Sequence, residues 1–317
     1  MCCATRWNVT TSKWTADDIP DQHGRTAIVT GANSGLGRIV ARELARRGAK
    51  VIVASRDNAK GAEAASAITG AFPSSTVEAA RLDLADLSSI RAFADHIRAG
   101  NDHIDLLINN AGVMAAPHRR TADGFELQFG TNHLGHFALT GLLLPLLNKT
   151  PDTRVVTVSS NNHKAGQMRF DDLQGERRYS RWGAYAQSKL ANLLFAFELD
   201  RRLRAGGSRL ISVAAHPGYS ATNLQLSGPP PLERFFMRLS NRLVAQSAEM
   251  GALPLLYAAT VPDLPGGSYV GPDGPAEIRG LPVLVQATKR ANDLEDARRL
   301  WEISERLTGV SYDFKAK

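Results

Sequence analysis

A glycine-rich turn between an apolar strand and a helix is the feature that most constrains the fold of this 317-residue chain. Residues 26–30 are predicted to form a strand, and Leu36 to Arg47 a helix that Gly48 ends. Glycines let a backbone approach a pyrophosphate, and a helix N-terminus offers free N–H groups and the positive end of its dipole. The turn therefore predicts a nucleotide site, with candidate residues Gly31, Asn33, Ser34, Gly35, Leu36, Gly37 and Arg38.

Strand and helix patterns alternate along the rest of the chain. Further strands are predicted at 50–55, 77–82, 104–109, 154–159, 210–215 and near 268–270, with helices at 58–69, 87–99, 125–147, 184–203, 247–260 and 291–308. The strands are apolar on both faces, which is typical of a parallel sheet covered by helices. We expect an α/β fold: a Rossmann-type, doubly wound parallel sheet of about seven strands in a single domain (24–317), after a flexible leader (1–23).

Composition excludes several classes of protein. Hydrophobic residues make up 43% and charged residues 22%, and no apolar run approaches the roughly 18 residues that a membrane span needs. The net charge of +7 comes from scattered basic residues without a run of five, so nucleic-acid binding is not expected. The two cysteines, Cys2 and Cys3, cannot cross-link the fold, which favours a cytoplasmic location. Residues 1–13 do not resemble a secretory signal, and whether they are the true start stays open.

The end of the second predicted strand bears on the choice of nucleotide. Enzymes that use NAD usually place an acid here, which binds the 2′-hydroxyl of the ribose. Ser55 and Arg56 stand here instead, and this pair suits a 2′-phosphate. Asp57 follows at once and could compete with that phosphate, whereas Arg38 could help to bind it.

Polar and small residues follow three further strands. Asp83 and Leu84 follow the third strand, where an acceptor could meet an adenine amine. Small residues after the fourth strand, in Asn109-Asn110-Ala111-Gly112, would let the backbone pass beneath a cofactor. Ser159 and Ser160 end the fifth strand and could either bind a ligand or cap a turn.

Tyr185 and Lys189 are the strongest candidates for chemistry, because positions i and i+4 share one helix face. A cation about 4 Å away, at an effective dielectric of about 20, favours a phenolate by about 4 kcal/mol. That energy would bring the pKa of the phenol from about 10 to near 7, where it could act as an acid or a base. The same spacing also occurs where a surface lysine extends past a half-buried tyrosine.

Because these motifs occur in order from about Gly24 to Thr222, the chain resembles the short-chain dehydrogenase/reductase family. The glycine turn matches the cofactor turn of that family, and Pro217-Gly218 matches its turn after the sixth strand. More narrowly, the stretch Asn132-His133-Leu134-Gly135-His136-Phe137 and the triplet His216-Pro217-Gly218 resemble the retinol-dehydrogenase and WW-domain-oxidoreductase branch. The family's catalytic tetrad is matched by Asn132, Ser160, Tyr185 and Lys189.

The resemblance implies a role for each member of the tetrad. Ser160 would hold the substrate oxygen, and Tyr185 would donate a proton to it as hydride leaves the nicotinamide. Lys189 would lower the pKa of the phenol and hold the ribose, while Asn132 would position a water that relays protons to Lys189. In one position the chain differs from the family: Ser220 stands where a small apolar residue is usual beside the carboxamide of the nicotinamide. The cofactor contacts that the motifs and the resemblance imply at and beyond the fourth strand are Asn110, Ala111, Gly112, Tyr185, Lys189, Pro217, Gly218, Ser220 and Thr222.

We therefore expect an NADP(H)-dependent oxidoreductase that interconverts a lipophilic aldehyde or ketone and its alcohol, with NAD(H) the less favoured cofactor. No metal site is predicted. One alternative is a non-catalytic NADPH sensor that binds a protein partner. Another is a carbon–carbon double-bond reductase similar to the protochlorophyllide reductases, whose pocket cysteine is missing here because no cysteine follows Cys3. The sequence does not decide the physiological substrate, the direction of its conversion or whether the chain forms a homodimer.

Residues 219–246 are expected to form a substrate lid. Leu232, Phe236, Leu239 and Leu243 would share one face of a helix, with Arg234, Arg238 and Arg242 on another. Such a helix could cover a lipophilic substrate and make a weak contact with an acidic membrane surface. It could equally be an ordinary surface helix, and the membrane anchor common in retinol dehydrogenases is not found.

Overall fold

The computed structural model describes residues 13–219 and 246–314 of the chain. The strands are β1 (Thr26–Thr30), β2 (Lys50–Ser55), β3 (Val77–Arg81), β4 (Leu106–Asn109), β5 (Arg154–Val158), β6 (Ile211–Ala215), β7 (Tyr269–Pro272) and β8 (Pro282–Leu284). They form one eight-stranded sheet in the order β3-β2-β1-β4-β5-β6-β7-β8. The strands β1 to β7 pair in parallel and β8 pairs antiparallel with β7, so the predicted doubly wound sheet is confirmed.

Helices cover both faces of the sheet. They are α1 (Gly35–Arg46), α2 (Asn58–Ala71), α3 (Leu87–Gly100), the short α4 (Leu127–Phe129), α5 (Gly135–Leu147), α6 (Arg181–Ala205), α7 (Ala248–Thr260) and α8 (Leu294–Thr308). One apolar core joins α1, α2 and α7 to the sheet. A second joins α3, α5, α6 and α8, with the buried Trp301 of α8 stacked on Phe195 of α6. The central strands β1, β4 and β5 are fully buried because both of their faces are covered.

The predicted number of strands is one too low. The missing strand, β8, has three residues, begins at a proline and lies at the sheet edge. A strand this short has too few residues to show an alternating pattern, and proline is tolerated at an edge because its nitrogen has no hydrogen to donate. The strands predicted at 26–30 and 50–55 have the observed bounds.

A π-helical turn lies between α4 and α5, over Gly130–Leu134. It interrupts the single long helical zone that the sequence predicts at 125–147. Such turns are rare and often mark functional sites. Asn132 lies in the middle of this one and is fully buried.

Several predictions fall outside the described residues: the greater part of the lid, its amphipathic helix, and the leader up to residue 12. Residues 13–23, the end of the predicted leader, are described and pack against the domain through Trp14, whose ring lies 5.3 Å from that of Tyr257 on α7. Within the described ranges no helix has both the length and the apolar character that crossing a membrane requires.

Candidate active site

A crevice forms where the strand order reverses. β1 pairs with β2 on one side and with β4 on the other, so the loops after β1 and β4 leave the sheet at the same edge in opposite directions. In open α/β sheets, ligands bind at such a switch point, outside the carboxyl ends of the strands. The residues predicted after β1, β2, β3, β4, β5 and β6 all follow carboxyl ends of this sheet.

The turn after β1 packs tightly against the loop after β4. A side chain at position 37 would place its Cβ 2.5 Å from Asn110 Nδ2 and 2.7 Å from the carbonyl oxygen of Gly31. Gly31 itself has a φ of +68°, a conformation that favours glycine, and a Cβ there would lie 3.0 Å from Ala111. The amide of Asn110 donates to Thr30 O at 2.7 Å and fixes the two loops together. The glycines therefore let the two backbones pack closely together, and no side chain at these positions fills the floor of the crevice.

Among the long helices that the structure describes, α1 lacks a side-chain cap at its start, as does α5, which continues directly from the π-helical turn. The N-cap residue of α1, Ser34, makes no side-chain hydrogen bond to the helix. The helices α2, α3 and α8 are capped by aspartates, and α6 and α7 by serines. The first N–H groups of α1 therefore have no side-chain cap, as expected where a phosphate is to bind.

Arg56 and Asp57 have separate environments at the end of β2. Asp57 is the N-cap of α2: its carboxylate accepts from Lys60 N at 3.1 Å and lies 3.4 Å from Lys60 Nζ. These contacts lower the pKa of Asp57, with the backbone hydrogen bond from Lys60 as the largest cause. Arg56 is exposed beside the crevice. The structure thus uses Asp57 in its own helix, which reduces the competition that the sequence predicts.

Ser55 has a different environment from the one predicted. It is buried, and its hydroxyl donates to Asp57 O at 2.6 Å. A Cβ on Gly61 of α2 would lie 3.0 Å from this hydroxyl. Ser55 therefore packs beneath α2, whereas the sequence predicts that it contacts a 2′-phosphate together with Arg56.

The two residues after β3 also separate. The carboxylate of Asp83 accepts from Ala85 N at 3.0 Å, and this partly exposed side chain lies at the carboxyl edge. Leu84 is buried in the apolar core beneath α5. The side chain of Asp83, unlike that of Leu84, can thus face a ligand.

Ser160 follows the carboxyl end of β5, and Tyr185 lies near the start of α6, where the two residues come together. Tyr185 is 4% exposed, and Ser160 is partly exposed at the start of a 3-10 turn over Asn161–Ala165. Burial raises the pKa of Tyr185 to about 12, and a hydrogen bond with Ser160 opposes part of that rise. The neighbouring Ser159 is engaged elsewhere, because its hydroxyl donates to Lys189 O at 2.8 Å. Ser160 is thus the serine of this pair that can meet a substrate.

Lys189 does not act on Tyr185 as the spacing predicts. Its Nζ donates to Val158 O at 3.0 Å and lies 5.8 Å from the centroid of the Tyr185 ring. Burial lowers the pKa of Lys189 to about 8. The prediction that the pKa of the phenol falls near 7 is therefore wrong for the protein without a bound cofactor. The cost of desolvating the phenolate outweighs its attraction to the Lys189 ammonium, which is bound to the carbonyl oxygen of Val158 on β5.

Asn132 has both polar side-chain atoms occupied. Its Oδ1 accepts from Val113 N at 2.7 Å, while its Nδ2 donates to Val113 O and Ser188 Oγ, each at 2.9 Å. Its backbone carbonyl accepts from Nδ1 of the buried His136 at 2.9 Å. An amide oxygen has two lone pairs, so the side-chain oxygen and the backbone oxygen of Asn132 could each still accept a hydrogen bond from a water.

Three histidines near the site have contacts that the sequence does not predict. His136 also contacts Thr30 Oγ1 at 3.0 Å, and that oxygen accepts from the backbone N–H groups of Asn110 and Ala111. His163 Nδ1 donates to Ser160 O at 2.7 Å. His216 Nδ1 accepts from Gly218 N at 3.2 Å. The stretches that carry the family resemblance contain His136 and His216, but the contacts of these histidines with Thr30 and Glu277 reach other elements and could not be read from spacing.

Among the predicted cofactor residues, Ser220 and Thr222 lie outside the described part of the chain. Pro217 and Gly218 follow β6 at the carboxyl edge, and a Cβ on Gly112 would lie 3.8 Å from Lys189 Nζ. The loops after β4 and β6 therefore border the tetrad from two sides.

Comparison with known proteins decides the family. The model of the short chain dehydrogenase family matches residues 25–229. This chain belongs to the short-chain dehydrogenase family. It is an oxidoreductase, and the expected resemblance to retinol dehydrogenases is confirmed. The family uses a nicotinamide cofactor, which the uncapped start of α1 and the close glycine contacts fit.

Relatives of this short-chain dehydrogenase extend over nearly the whole chain. Mouse retinol dehydrogenase 14 is 42% identical, covering 91% of this chain and 87% of its own. Mouse polyprenol dehydrogenase is 44% identical, covering 92% and 86%. An uncharacterised protein of Mycobacterium paratuberculosis has a solved structure with a TM-score of 0.80 and 50% identity, covering 95% of this chain and all of its own. A Shigella flexneri short chain dehydrogenase complexed with NADP is 25% identical, with a TM-score of 0.59, and covers 75% of this chain and 92% of its own.

Proposed function

We propose that this enzyme is an NADP(H)-dependent oxidoreductase that interconverts a lipophilic carbonyl compound and its alcohol, with Tyr185 as the acid or base. The observation that carries the proposal is the buried phenol of Tyr185, which interacts with Ser160 and lies one helical turn from Lys189, at the same carboxyl edge of the sheet as the uncapped start of α1. A non-catalytic sensor would not need a buried phenol paired with a serine in this place.

Each residue of the site has a separate role in carbonyl reduction. A bound nicotinamide supplies the hydride that adds to the carbonyl carbon. Ser160 donates a hydrogen bond to the substrate oxygen and holds it beside Tyr185. Tyr185 passes its phenolic proton to that oxygen, so the C=O bond becomes CH–OH and the phenolate takes up a proton from water. The ammonium of Lys189 favours the phenolate that forms.

Preference for NADP(H) is proposed from the end of β2. Arg56 is exposed there, and the Asp57 carboxylate is held by α2. A guanidinium binds a 2′-phosphate through a charge-assisted pair of hydrogen bonds. The NADP complex of the Shigella flexneri relative supports the same choice.

A lipophilic substrate is proposed from the surroundings of Tyr185. Met114 and Ala115 pack against Tyr185, and Trp182, one turn earlier on α6, keeps 40% of its surface exposed. The ring of Trp182 meets that of Tyr185 edge-on, with 6.2 Å between the centroids. An exposed tryptophan beside the proton donor suits a hydrocarbon chain, and relatives include retinol and polyprenol dehydrogenases.

The test is a screen of NADPH oxidation with aldehydes of graded chain length. We expect catalytic efficiency to rise with each added methylene, with a limit of about 0.8 kcal/mol per buried methylene, and the rise to weaken in Trp182→Ala. Leu294→Ala is the matched control, because Leu294 is 53% exposed at the start of α8. An equal response to short and long aldehydes would contradict a lipophilic substrate, and no turnover of any carbonyl despite NADPH binding would favour the sensor.

A further inference from the structure

The loop between β7 and β8 has a backbone that amino acids with side chains rarely adopt. Ala276 and Glu277 are consecutive, neither is glycine, and their φ angles are +52° and +56°. Such strain persists only where surrounding contacts hold it, and it often occurs at functional sites. The contacts that hold this loop come from two segments that border the active site.

The carboxylate of Glu277 joins those two segments. Its Oε1 accepts from Lys164 Nζ at 3.0 Å, in the turn that begins at Ser160. Its Oε2 lies 2.9 Å from Nε2 of the fully buried His216, which follows β6. Because Nδ1 of His216 accepts from Gly218 N, the ring proton of the neutral histidine is on Nε2 and points at Glu277. Glu277 thereby fixes the tautomer that holds the Gly218 backbone.

Backbone contacts of the same loop reinforce both connections. Asn161 Nδ2 donates to the carbonyl oxygens of Ala276 and Glu277 at 3.1 and 3.0 Å. Tyr219 N donates to Ile278 O at 2.7 Å. Gly218 also packs so closely that a Cβ there would lie 2.4 Å from Ile278 O. The loop therefore touches the chain immediately after Ser160 and the chain immediately after Pro217.

We propose that Glu277 is a positioning residue, which sets the Pro217–Gly218 turn at the correct distance from Ser160 for the nicotinamide end of the cofactor. This inference rests on the proposed function, because it takes Pro217 and Gly218 as cofactor contacts. Ser160 and Gly218 are 58 positions apart in the sequence, and the Glu277 side chain connects their neighbours Lys164 and His216. The hydrogen bond from His216 is also the largest cause that lowers the pKa of Glu277 to about 2, so the carboxylate stays charged.

Two substitutions separate positioning from mere support of the loop. Glu277→Gly removes the carboxylate but also relieves the left-handed backbone, which offsets part of the stability lost with the contacts to Lys164 and His216, so the thermal midpoint should fall only slightly. NADPH should nevertheless bind about tenfold more weakly, because the charge-assisted hydrogen bond to His216 is gone. Glu277→Gln keeps an acceptor for His216 but loses the charge, so the loss of affinity should be smaller, about threefold.

The measurement is titration of cofactor fluorescence, with KM for NADPH and kcat determined in parallel. The matched control is Glu176→Gln, which removes the charge from a glutamate that pairs with Arg120 at 2.7 Å on the surface. We expect the control to bind NADPH as the unaltered protein does. Unaltered affinity and KM in Glu277→Gly would overturn the positioning role. If the unaltered protein binds neither NADPH nor NADH, the proposed function itself fails, which is a different result.

Discussion

The two halves of the carboxyl edge of the sheet are built for different tasks. After β1 and β2, the site consists of backbone N–H groups, glycines and the exposed Arg56. After β5 and on α6, it consists of buried side chains whose pKa values depart from their ordinary values, as Tyr185 and Lys189 show. We propose that the first half binds an anion without proton transfer, whereas the second moves a proton. Changes in the two halves should therefore separate binding from turnover.

The largest effect is expected from Tyr185→Phe, in the catalytic half. The ring stays but the proton donor is lost, so turnover should fall by about 10²- to 10⁴-fold. NADPH affinity should hardly change, because the phosphate-binding half is untouched. Steady-state kinetics together with cofactor titration would check this, and near-normal turnover would mean that another group supplies the proton.

Arg56→Ala makes the corresponding change in the binding half. Loss of one charge-assisted contact to the 2′-phosphate should weaken NADPH binding by about 10- to 150-fold and leave NADH binding nearly unchanged. Asp57 is held at the start of α2, so it should compete little with the phosphate and the effect can reach the upper part of that range. Equal affinity of the unaltered protein for both nucleotides would exclude Arg56 from the site.

The pH dependence of turnover sharpens the contrast further. The phenol of Tyr185, with a pKa of about 12, stays protonated at neutral pH, whereas Lys189 loses its charge as the pH rises through about 8. Carbonyl reduction at saturating substrates should therefore be level below that pH and fall by up to about tenfold per pH unit above it. The Lys189→Met variant should have low activity, and its pH profile should lack this descending limb. A descending limb near pH 7 that persists in Lys189→Met would indicate that the phenol titrates there instead.

The smallest effect is expected from Asp57→Ala. Loss of one helix cap should lower the midpoint of thermal unfolding by about 2 °C. NADPH affinity should stay the same or rise slightly, because a nearby negative charge is gone. Calorimetry and cofactor titration give the two readouts, and a large gain in NADH affinity over NADPH would contradict the separate environments of Arg56 and Asp57.

The sequence predicts the fold better than it predicts the site. Strand–helix alternation and helix spacing are local patterns, so the order of elements and most of their bounds follow from them. The i, i+4 spacing places Tyr185 and Lys189 on one face, but it does not say that the ammonium points to Val158 O. Nor can it show that Ser55 is buried beneath Gly61, or that Glu277 reaches His216 from a distant loop. Those facts depend on tertiary contacts and on desolvation.

Hydride transfer itself gives the most direct test of the account. NADPH carrying deuterium at the transferred position of C4 would be mixed with a long-chain aldehyde, in single turnover, with the unaltered enzyme and with Tyr185→Phe. We expect deuterium on the alcohol carbon, an alcohol formed at least about 100-fold more slowly by the variant, and equal NADPH affinity in both proteins. An alcohol without deuterium, or equal rates in the two proteins, would contradict this expectation.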